Sequence, residues 1–440
     1  KGKRIMALSD DFESFMKELV PDKLEAMKTT TGEMAKKLNK NYYDLDGNTS
    51  EHMYIVGSVG RGTSIKGVSD LDLLFDLPND IYKKYDNYGE NSNGQSMLLQ
   101  EVKNVLLERY PKTQISGDGQ VVVIEFTNYT VELVPGFKQN NGSFKYPDTH
   151  DGGSWKITNP IPEIEESQTM AEDTNNNFVY ICNMIRSWKN HMGFKLGGLL
   201  IDTLVYKFLN ENDEYKTIDY DEYFDMTKCL FAYLKDLNKE QSYWYALGSN
   251  QKVYNYDNGK FITKAQNAYD KISFCDGTED DVNKKLRAIF GYDFPKSVLV
   301  VEKQYELSAY RTEQFIEKLF PVDIRYNLNI DCEVIQKGFR PHYLSDMLSK
   351  GLLLMKNKSL KFEIKYCDIP DGVETCDIYW KVRNVGMEAI RLNQIRGQII
   401  KTNSTIHRER TSFCGAHYVE CYLVKNGVCI AKDRIEVPIQ

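Results

Sequence analysis

No stretch of this sequence approaches the roughly eighteen uninterrupted apolar residues that a membrane helix needs, so membrane insertion is not expected. The opening residues Lys1-Gly2-Lys3-Arg4 run into Asp10, Asp11 and Glu13 with no apolar segment between them, and no secretory leader is expected. There is no CxxC pair among the nine cysteines, and the odd count argues for free thiols in a reducing compartment rather than a disulfide frame. The expected location is therefore cytoplasmic. A basic excess is also missing. The net charge of −7 argues against a long nucleic-acid groove, while leaving room for a local triphosphate pocket. Neither an internal repeat nor a low-complexity tract occurs; Asp86–Gln95 reads as a polar loop.

What is present suits a folded protein of more than one core. Apolar residues make up 41%, charged residues 27% and aromatics 12% of 440 positions, a length that calls for two or three packed units. Residues 9–40 carry helical spacing through Phe12, Phe15, Met16, Leu19, Leu24, Met27 and Met34. Short strands are expected at Tyr54–Val56 and Leu71–Phe75, a helix at Met97–Tyr110, and a hairpin from Val121–Phe126 to Thr130–Val134. From Asn175 the pattern is helical, through Phe178–Trp188, Leu199–Leu209, Tyr223–Leu237, Lys264–Ile272 and Asp280–Phe290. A helix is expected at Arg311–Phe320. Beyond residue 325, alternating runs at Phe362–Tyr366, Asp377–Val382, Ile395–Lys401, Tyr418–Val424 and Val428–Val437 predict an antiparallel β domain such as a sandwich.

The pattern that carries chemistry is Gly57-Ser58, eleven residues, then Asp70-Leu71-Asp72. A strand ending in Gly-Ser lets backbone N–H groups and the Ser58 hydroxyl approach phosphate oxygens closely. Alternation along the next strand points Asp70 and Asp72 one way and Leu71 and Leu73 into the core. Two carboxylates side by side repel unless a cation lies between them, and Mg²⁺, a hard ion that shares its shell with phosphates, fits that pair. Glu132, an acid between apolar neighbours in Val131-Glu132-Leu133-Val134-Pro135, is the expected third ligand. Alone, Asp-x-Asp is more often the wet face of an edge strand; joined to Gly57-Ser58 and Glu132 it reads as a two-metal site, with Mn²⁺ as the other possible ion.

Gly57-Ser58-Val59-Gly60-Arg61-Gly62-Thr63, Ser69-Asp70-Leu71-Asp72 and Val131–Pro135 resemble the active-site signature of the cGAS/DncV-like nucleotidyltransferases (CD-NTases), members of the polymerase-β-like superfamily. The resemblance continues through Gly152–Trp155, Met184–Lys189 and Trp244–Gln251. Asp377–Gly386, Arg396-Gly397 and Thr411–Tyr422 are similar to AGS-C, the C-terminal sensor module of adenylyl/guanylyl cyclase and SMODS proteins. The resemblance implies an α+β fold: a nucleotidyltransferase core over 1–165, a helical lobe over 166–300 completing the nucleotide cleft, a connecting helix over 301–324, and a β-sandwich-like sensor domain over 325–440. It implies a bacterial anti-phage signalling enzyme that makes a cyclic or short linear oligonucleotide, read by a separate effector protein. Asp70, Asp72 and Glu132 would be the metal ligands, and Gly57 and Ser58 would hold the donor phosphates. Glu132 departs from the Asp that many relatives carry; hard-oxygen sites tolerate the extra methylene.

Further nucleotide-binding candidates have plainer readings beside them. Arg61 could neutralise a phosphate or be a solvated loop charge. Arg186 and Lys189 lie one helical turn apart beside Trp188, where a relative's phosphate-reaching lysine falls; the alternative for Lys189 is a surface cation next to a core Trp. Ser249 and Gln251 could read a base edge or cap a turn. Cys414, His417 and Cys421, with Cys367 or Cys376, do not match a known zinc spacing and read as buried small residues. Arg383, Arg396, Arg408 and Arg410 interleave with Glu388, Glu409 and Glu420, which suits a pocket at most. Two other functions stay open: transfer of a single nucleotide to a protein or small molecule, against which the long β appendage speaks, and a non-catalytic nucleotide sensor, against which the intact acids speak.

Overall fold

The computed structural model describes residues 2–86, 93–275, 278–296, 313–336, 338–384, 387–392 and 394–440. Residues 87–92 of the polar loop expected at 86–95 and residues 301–312 of the 301–324 connection lie outside the described residues. The chain divides into two compact units, one of residues 12–186 and 197–266, the other of residues 1–11, 187–196 and 267–440.

The first unit is built on one mixed sheet. Its strands are β1 (Met53–Ile55), β2 (Asp70–Asp76), β3 (Gln114–Asp118), β4 (Val121–Glu125), β5 (Thr130–Lys138), β6 (Phe144–Asp148) and β7 (Ser154–Thr158), in the order β1-β2-β5-β4-β3, with β6 and β7 continuing from β5. Among the described residues β2 and β5 are the sheet's one parallel pair; the remaining pairs are antiparallel. The period-2 pattern decides which face is covered. Leu71, Leu73, Phe75, Val131 and Leu133 are buried against Met27, Met34 and Leu38 of α2 (Leu24–Tyr43) and Leu98, Val102 and Leu106 of an element at Gly94–Arg109. The opposite face carries Asp70 and Asp72, then closes at Leu74, which packs with Val56 and Phe144.

The helical stripe at 9–40 is two helices, α1 (Gly2–Glu18) and α2, because Pro21 has no N–H to continue the ladder. The short turn α3 (Gly57–Gly60) follows β1; then come α4 (Asn79–Asp86) and α5 (Gly94–Arg109). The helical run is α6 (Pro160–Asp173), α7 (Asn177–Met192), α8 (Gly198–Glu211), α9 (Tyr223–Lys235), α10 (Lys260–Ser273) and α11 (Glu279–Phe290). A hairpin of β8 (Tyr243–Tyr245) and β9 (Lys252–Tyr254) holds the polar loop 246–251. No helix of the described residues is long and apolar enough to cross a membrane.

In the second unit the expected sandwich is present. One four-stranded sheet has the order β11-β10-β12-β15 and the other β14-β13-β16-β17, every pair antiparallel. The strands are β10 (Leu328–Ile335), β11 (His342–Tyr343), β12 (Ser359–Cys367), β13 (Asp377–Arg383), β14 (Ile399–Lys401), β15 (Ile406–Arg410), β16 (Gly415–Lys425) and β17 (Val428–Ile439). Ile330, Cys332 and Phe362 from one sheet share a core with Trp380, Cys421 and Leu423 from the other. His417 and Cys421 point inward on β16, His417 beside the Phe413 carbonyl at 3.3 Å, so they serve packing. The helix expected at Arg311–Phe320 is a correction. Its described part is a single 3₁₀ turn, Ile316–Lys318, preceded by extended chain in which Gln314 N–H donates to the Gly397 carbonyl at 2.8 Å. Pairing with a neighbouring strand end outweighs local helix propensity there.

A buried charge cluster ties the first unit together. Asp202 of α8, fully buried, accepts from Arg61 Nε at 2.8 Å, from Arg186 of α7 at 2.7 and 3.0 Å, and from the Thr63 hydroxyl at 2.9 Å. Arg186 also donates to the Gly198 carbonyl at 3.2 Å. Burial alone would raise the Asp202 pKa, but the Arg186 and Arg61 charges outweigh it and hold the group at about 2. Removing one partner strands the others: Asp202→Asn is expected to cost about 3–5 kcal/mol in a urea titration at pH 7. A depressed folded pKa stabilises above the unfolded value of about 3.9 and loses that contribution as pH falls toward about 2. The gap between wild type and variant is therefore flat from about pH 5 to 8 and narrows below about pH 4.

Candidate active site

The site is set by how β1 hands over to α3. Val56 N–H donates to the Asp72 carbonyl at 2.9 Å, keeping the two strands together to the last residue, and at Gly57 the chain turns with φ of +63°. A Cβ on Gly57 would fall 1.8 Å from Asp72 Oδ2, and one on Gly60 would fall 2.3 Å from the Ile55 carbonyl oxygen. Only glycine lets the Asp72 carboxylate lie directly on the turn's backbone. The first N–H groups of so short a turn have no partner within it. Ser58 follows at once, and its carbonyl accepts from Thr63 N–H at 2.9 Å, which folds the loop back toward the Asp202 cluster.

The acids meet through strand register. Asp70 pairs with Thr130 and Asp72 with Glu132 across the parallel β2–β5 ladder. Directly paired residues of parallel strands point to the same face. Asp72 and Glu132 are therefore side by side and Asp70 lies two residues along, all three half-buried and backed by fully buried Leu71, Leu73, Val131 and Leu133. Across β5, Val123 of β4 is the other neighbour of Glu132, so the acidic strip ends there against an apolar side chain. Among the described residues no group of three or more His, Cys, Asp or Glu side chains is placed to hold a metal ion by itself. The donor set is three carboxylates, hard oxygen donors, beside a glycine turn whose missing Cβ leaves room at Asp72. That fits a cation completed by outside ligands, as Mg²⁺ is, better than a soft or all-protein site.

The other candidates have protein partners. Arg61 and Arg186 grip Asp202, as described above. Ser249 donates to Glu163 of α6 at 2.8 Å, and burial raises the pKa of Glu163. Gln251 Oε1 accepts from Asn159 N–H at 2.9 Å. These contacts dock the 248–251 loop on the start of α6. Lys189 belongs to the second unit, where it donates to the Ile324 carbonyl at 2.9 Å and lies 3.3 Å from Asp323. Burial works against the charge of Asp323, yet Lys189 and Arg325 keep its carboxyl well below the usual range. The structure thus brings Gly57, Ser58, Asp70, Asp72 and Glu132 together. Sequence reasoning missed Asp202 and Thr63. The signal was a lone acid inside the apolar run Leu199-Leu200-Ile201-Asp202-Thr203-Leu204-Val205, since a buried acid requires a cation.

Two family profiles match the chain. Residues 6–170, which contain the whole acidic face and the glycine turn, match the Second Messenger Oligonucleotide or Dinucleotide Synthetase domain (SMODS). Residues 310–440 match the Adenylyl/Guanylyl and SMODS C-terminal sensor domain (AGS_C). A cyclic GMP-AMP synthase of Escherichia albertii is 28% identical over 99 residues, 22% of each chain, so this chain aligns with about a fifth of the length of that relative. Similar solved structures include CdnC of E. coli MS115-1 with ATP (15% identity, TM-score 0.49, covering 65% of this chain and 98% of that one). The GTP-bound form of Vibrio cholerae DncV is another, at 11% identity, TM-score 0.44, and 67% and 88% coverage. The two matched profiles, one spanning the paired acids and the other the β-sandwich, identify the chain as a SMODS domain followed by a C-terminal AGS_C sensor domain.

Proposed function

We propose that the chain joins nucleoside triphosphates, without a template, into a cyclic or short linear oligonucleotide, releasing pyrophosphate, and that the product carries an anti-phage signal to a separate effector protein. The observation that carries this reading is the Asp72–Glu132 register with Asp70 on the same face, against the Gly57 backbone. Asp70, Asp72 and Glu132 would hold two Mg²⁺, or Mn²⁺, with the remaining shell left to water and substrate oxygens. Bound there, the ions lower the pKa of the attacking hydroxyl and neutralise the triphosphate.

The chain's own residues bind and orient. Backbone N–H groups at the Gly57–Ser58 turn and the Ser58 hydroxyl take oxygens of the donor phosphates. The Asp202 cluster holds the loop after that turn still, and the Val56-Leu74-Phe144 cluster keeps water from one end of the acidic face. An acceptor hydroxyl of a second nucleotide, held in line with the α-phosphate, needs little further reorganisation. In this reading the transferase chemistry lies within residues 1–165, the helices of 166–300 complete the cleft, and residues 325–440 sense or shape the product rather than perform chemistry.

The test is incubation of the protein with Mg²⁺ or Mn²⁺ and NTPs or dNTPs, singly and mixed, with products resolved by chromatography and mass spectrometry. A phosphatase-resistant product of oligonucleotide mass, absent with Asp70→Ala/Asp72→Ala, is the expected result; adenylylated protein in its place, or no metal-dependent nucleotide binding at all, overturns the reading. Glu132→Gln is expected to lower turnover about a hundredfold or more, and Glu132→Asp to stay within about tenfold of wild type, because both carboxylates supply the same hard charge. Gly57→Ala pushes the Asp72 carboxylate off the turn. Initial rates should fall about a hundredfold, with a loss of about 1–3 kcal/mol in thermal melts from the left-handed φ.

A further inference from the structure

A second, basic cavity of about 630 Å³ opens in the other unit, where the end of α11, the segment before the Ile316 turn and β13 meet. Its size is that of a small-molecule site. Four cations line it, Arg287, Lys296, Lys318 and Arg383, against one acid, Glu313, in a chain whose net charge is −7. Glu313 adds little negative field, since it already faces Lys381 at 3.0 Å and Arg383 at 3.3 Å. Among the described residues neither Arg287 nor Lys318 has a carboxylate within ion-pair distance. Both stand over the ring of Tyr292, at 5.0 and 5.2 Å from its centre, Arg287 donating as well to the Phe294 carbonyl, and Tyr292 packs on Phe315 at 3.8 Å. A ring leaves the net charge of its cation uncancelled, whereas a carboxylate neutralises it.

We propose that this cavity is a nucleotide site separate from the acidic face, taking a phosphate-bearing nucleotide without a divalent ion. Arg287, Lys296 and Lys318 meet the phosphates, and the Tyr292–Phe315 wall meets the base. Its positive charge comes from side chains, so metal is not required, which separates it from the carboxylate face in a binding experiment. The ligand could be substrate NTP or the phosphodiester product; both present the same phosphate and base.

Equilibrium dialysis in EDTA tests this on the full chain with ATP, GTP, a linear pApA dinucleotide and inorganic tripolyphosphate as probes, at low and at 0.3 M salt (roughly, to shorten the screening length). Binding of ATP or pApA with one site per chain, retained in Asp70→Ala/Asp72→Ala, is expected. Lys318→Glu, an exposed position, and Lys296→Glu should each weaken it about tenfold, while Arg408→Glu, elsewhere on the sandwich, should not. Tighter binding of pApA than of ATP assigns the site to product, and the reverse to substrate. No binding in EDTA, or equal weakening by Arg408→Glu, overturns the proposal; tripolyphosphate binding as tightly as ATP overturns its nucleotide part. Loss of catalysis in the triphosphate incubations would leave these outcomes unchanged, so the two readings fail separately.

Discussion

The parallel pairing of β2 with β5 is the constraint on which the rest of the site depends. In a parallel ladder, side chains of paired residues rise from the same face, so fixing Asp72 opposite Glu132 fixes three carboxylates at once. A slip of one residue would turn Leu71, Leu73, Val131 and Leu133 to water and drive the acids into the layer of α2 and α5. The apolar half of the strands thus enforces the register that the polar half uses. Repulsion among the acids is tolerated because the burial of four large side chains, each worth about 1.5–3 kcal/mol, opposes any rearrangement that would separate them.

The cations of the first unit solve a different problem. A guanidinium near a glycine turn looks suited to phosphate, yet Arg61 and Arg186 both close on Asp202, with Thr63 joining them. Here the arginines fix the loop that carries Gly57 and Ser58, and in the proposed reading the acidic face sets the charge. Rigidity of the turn matters more than added charge, because the close approach at Gly57 leaves no slack between backbone and Asp72.

Much of this was legible in the sequence, for identifiable reasons. The acids of β2 and the Glu132 strand could be read from alternation, a local property. That β2 and β5 are neighbours, and parallel, could not, because nearly sixty residues separate them and several pairings suit the same pattern. The Arg61–Asp202 and Arg186–Asp202 contacts were hidden for the same reason; each cation had a plausible local use, and only the fold shows the acid that claims it. Ser249 and Gln251 read as base-reading groups because a polar loop has no visible partner until α6 is placed beneath it. The helix expected at Arg311–Phe320 failed where Gly397, just before β14, accepts the Gln314 N–H and the Gln314 side chain in turn accepts the Ile399 N–H, contacts that a helix would have had to give up. The sandwich strands β10 and β15 went unassigned. The alternation of Leu328, Ile330, Cys332 and Val334 was readable, whereas β15, rich in Arg and Glu, carries too few apolar residues to announce itself.

Charge is divided between the two units in a way one pocket could not achieve. A face of three carboxylates binds phosphate only through a cation, so its affinity rises and falls with metal. A cavity lined by lysines and arginines, two of them set over an aromatic ring, would bind phosphate directly, with an affinity that falls with salt. Merged, the two would neutralise each other: the acids would claim the arginines, as Asp202 does, and neither metal nor nucleotide would find an uncompensated charge. Keeping them in separate units lets the same molecule answer to a nucleotide by two independent chemistries. A chain of net charge −7 therefore needs its basic side chains concentrated where rings, not carboxylates, hold them, and Tyr292 with Arg287 and Lys318 is that arrangement.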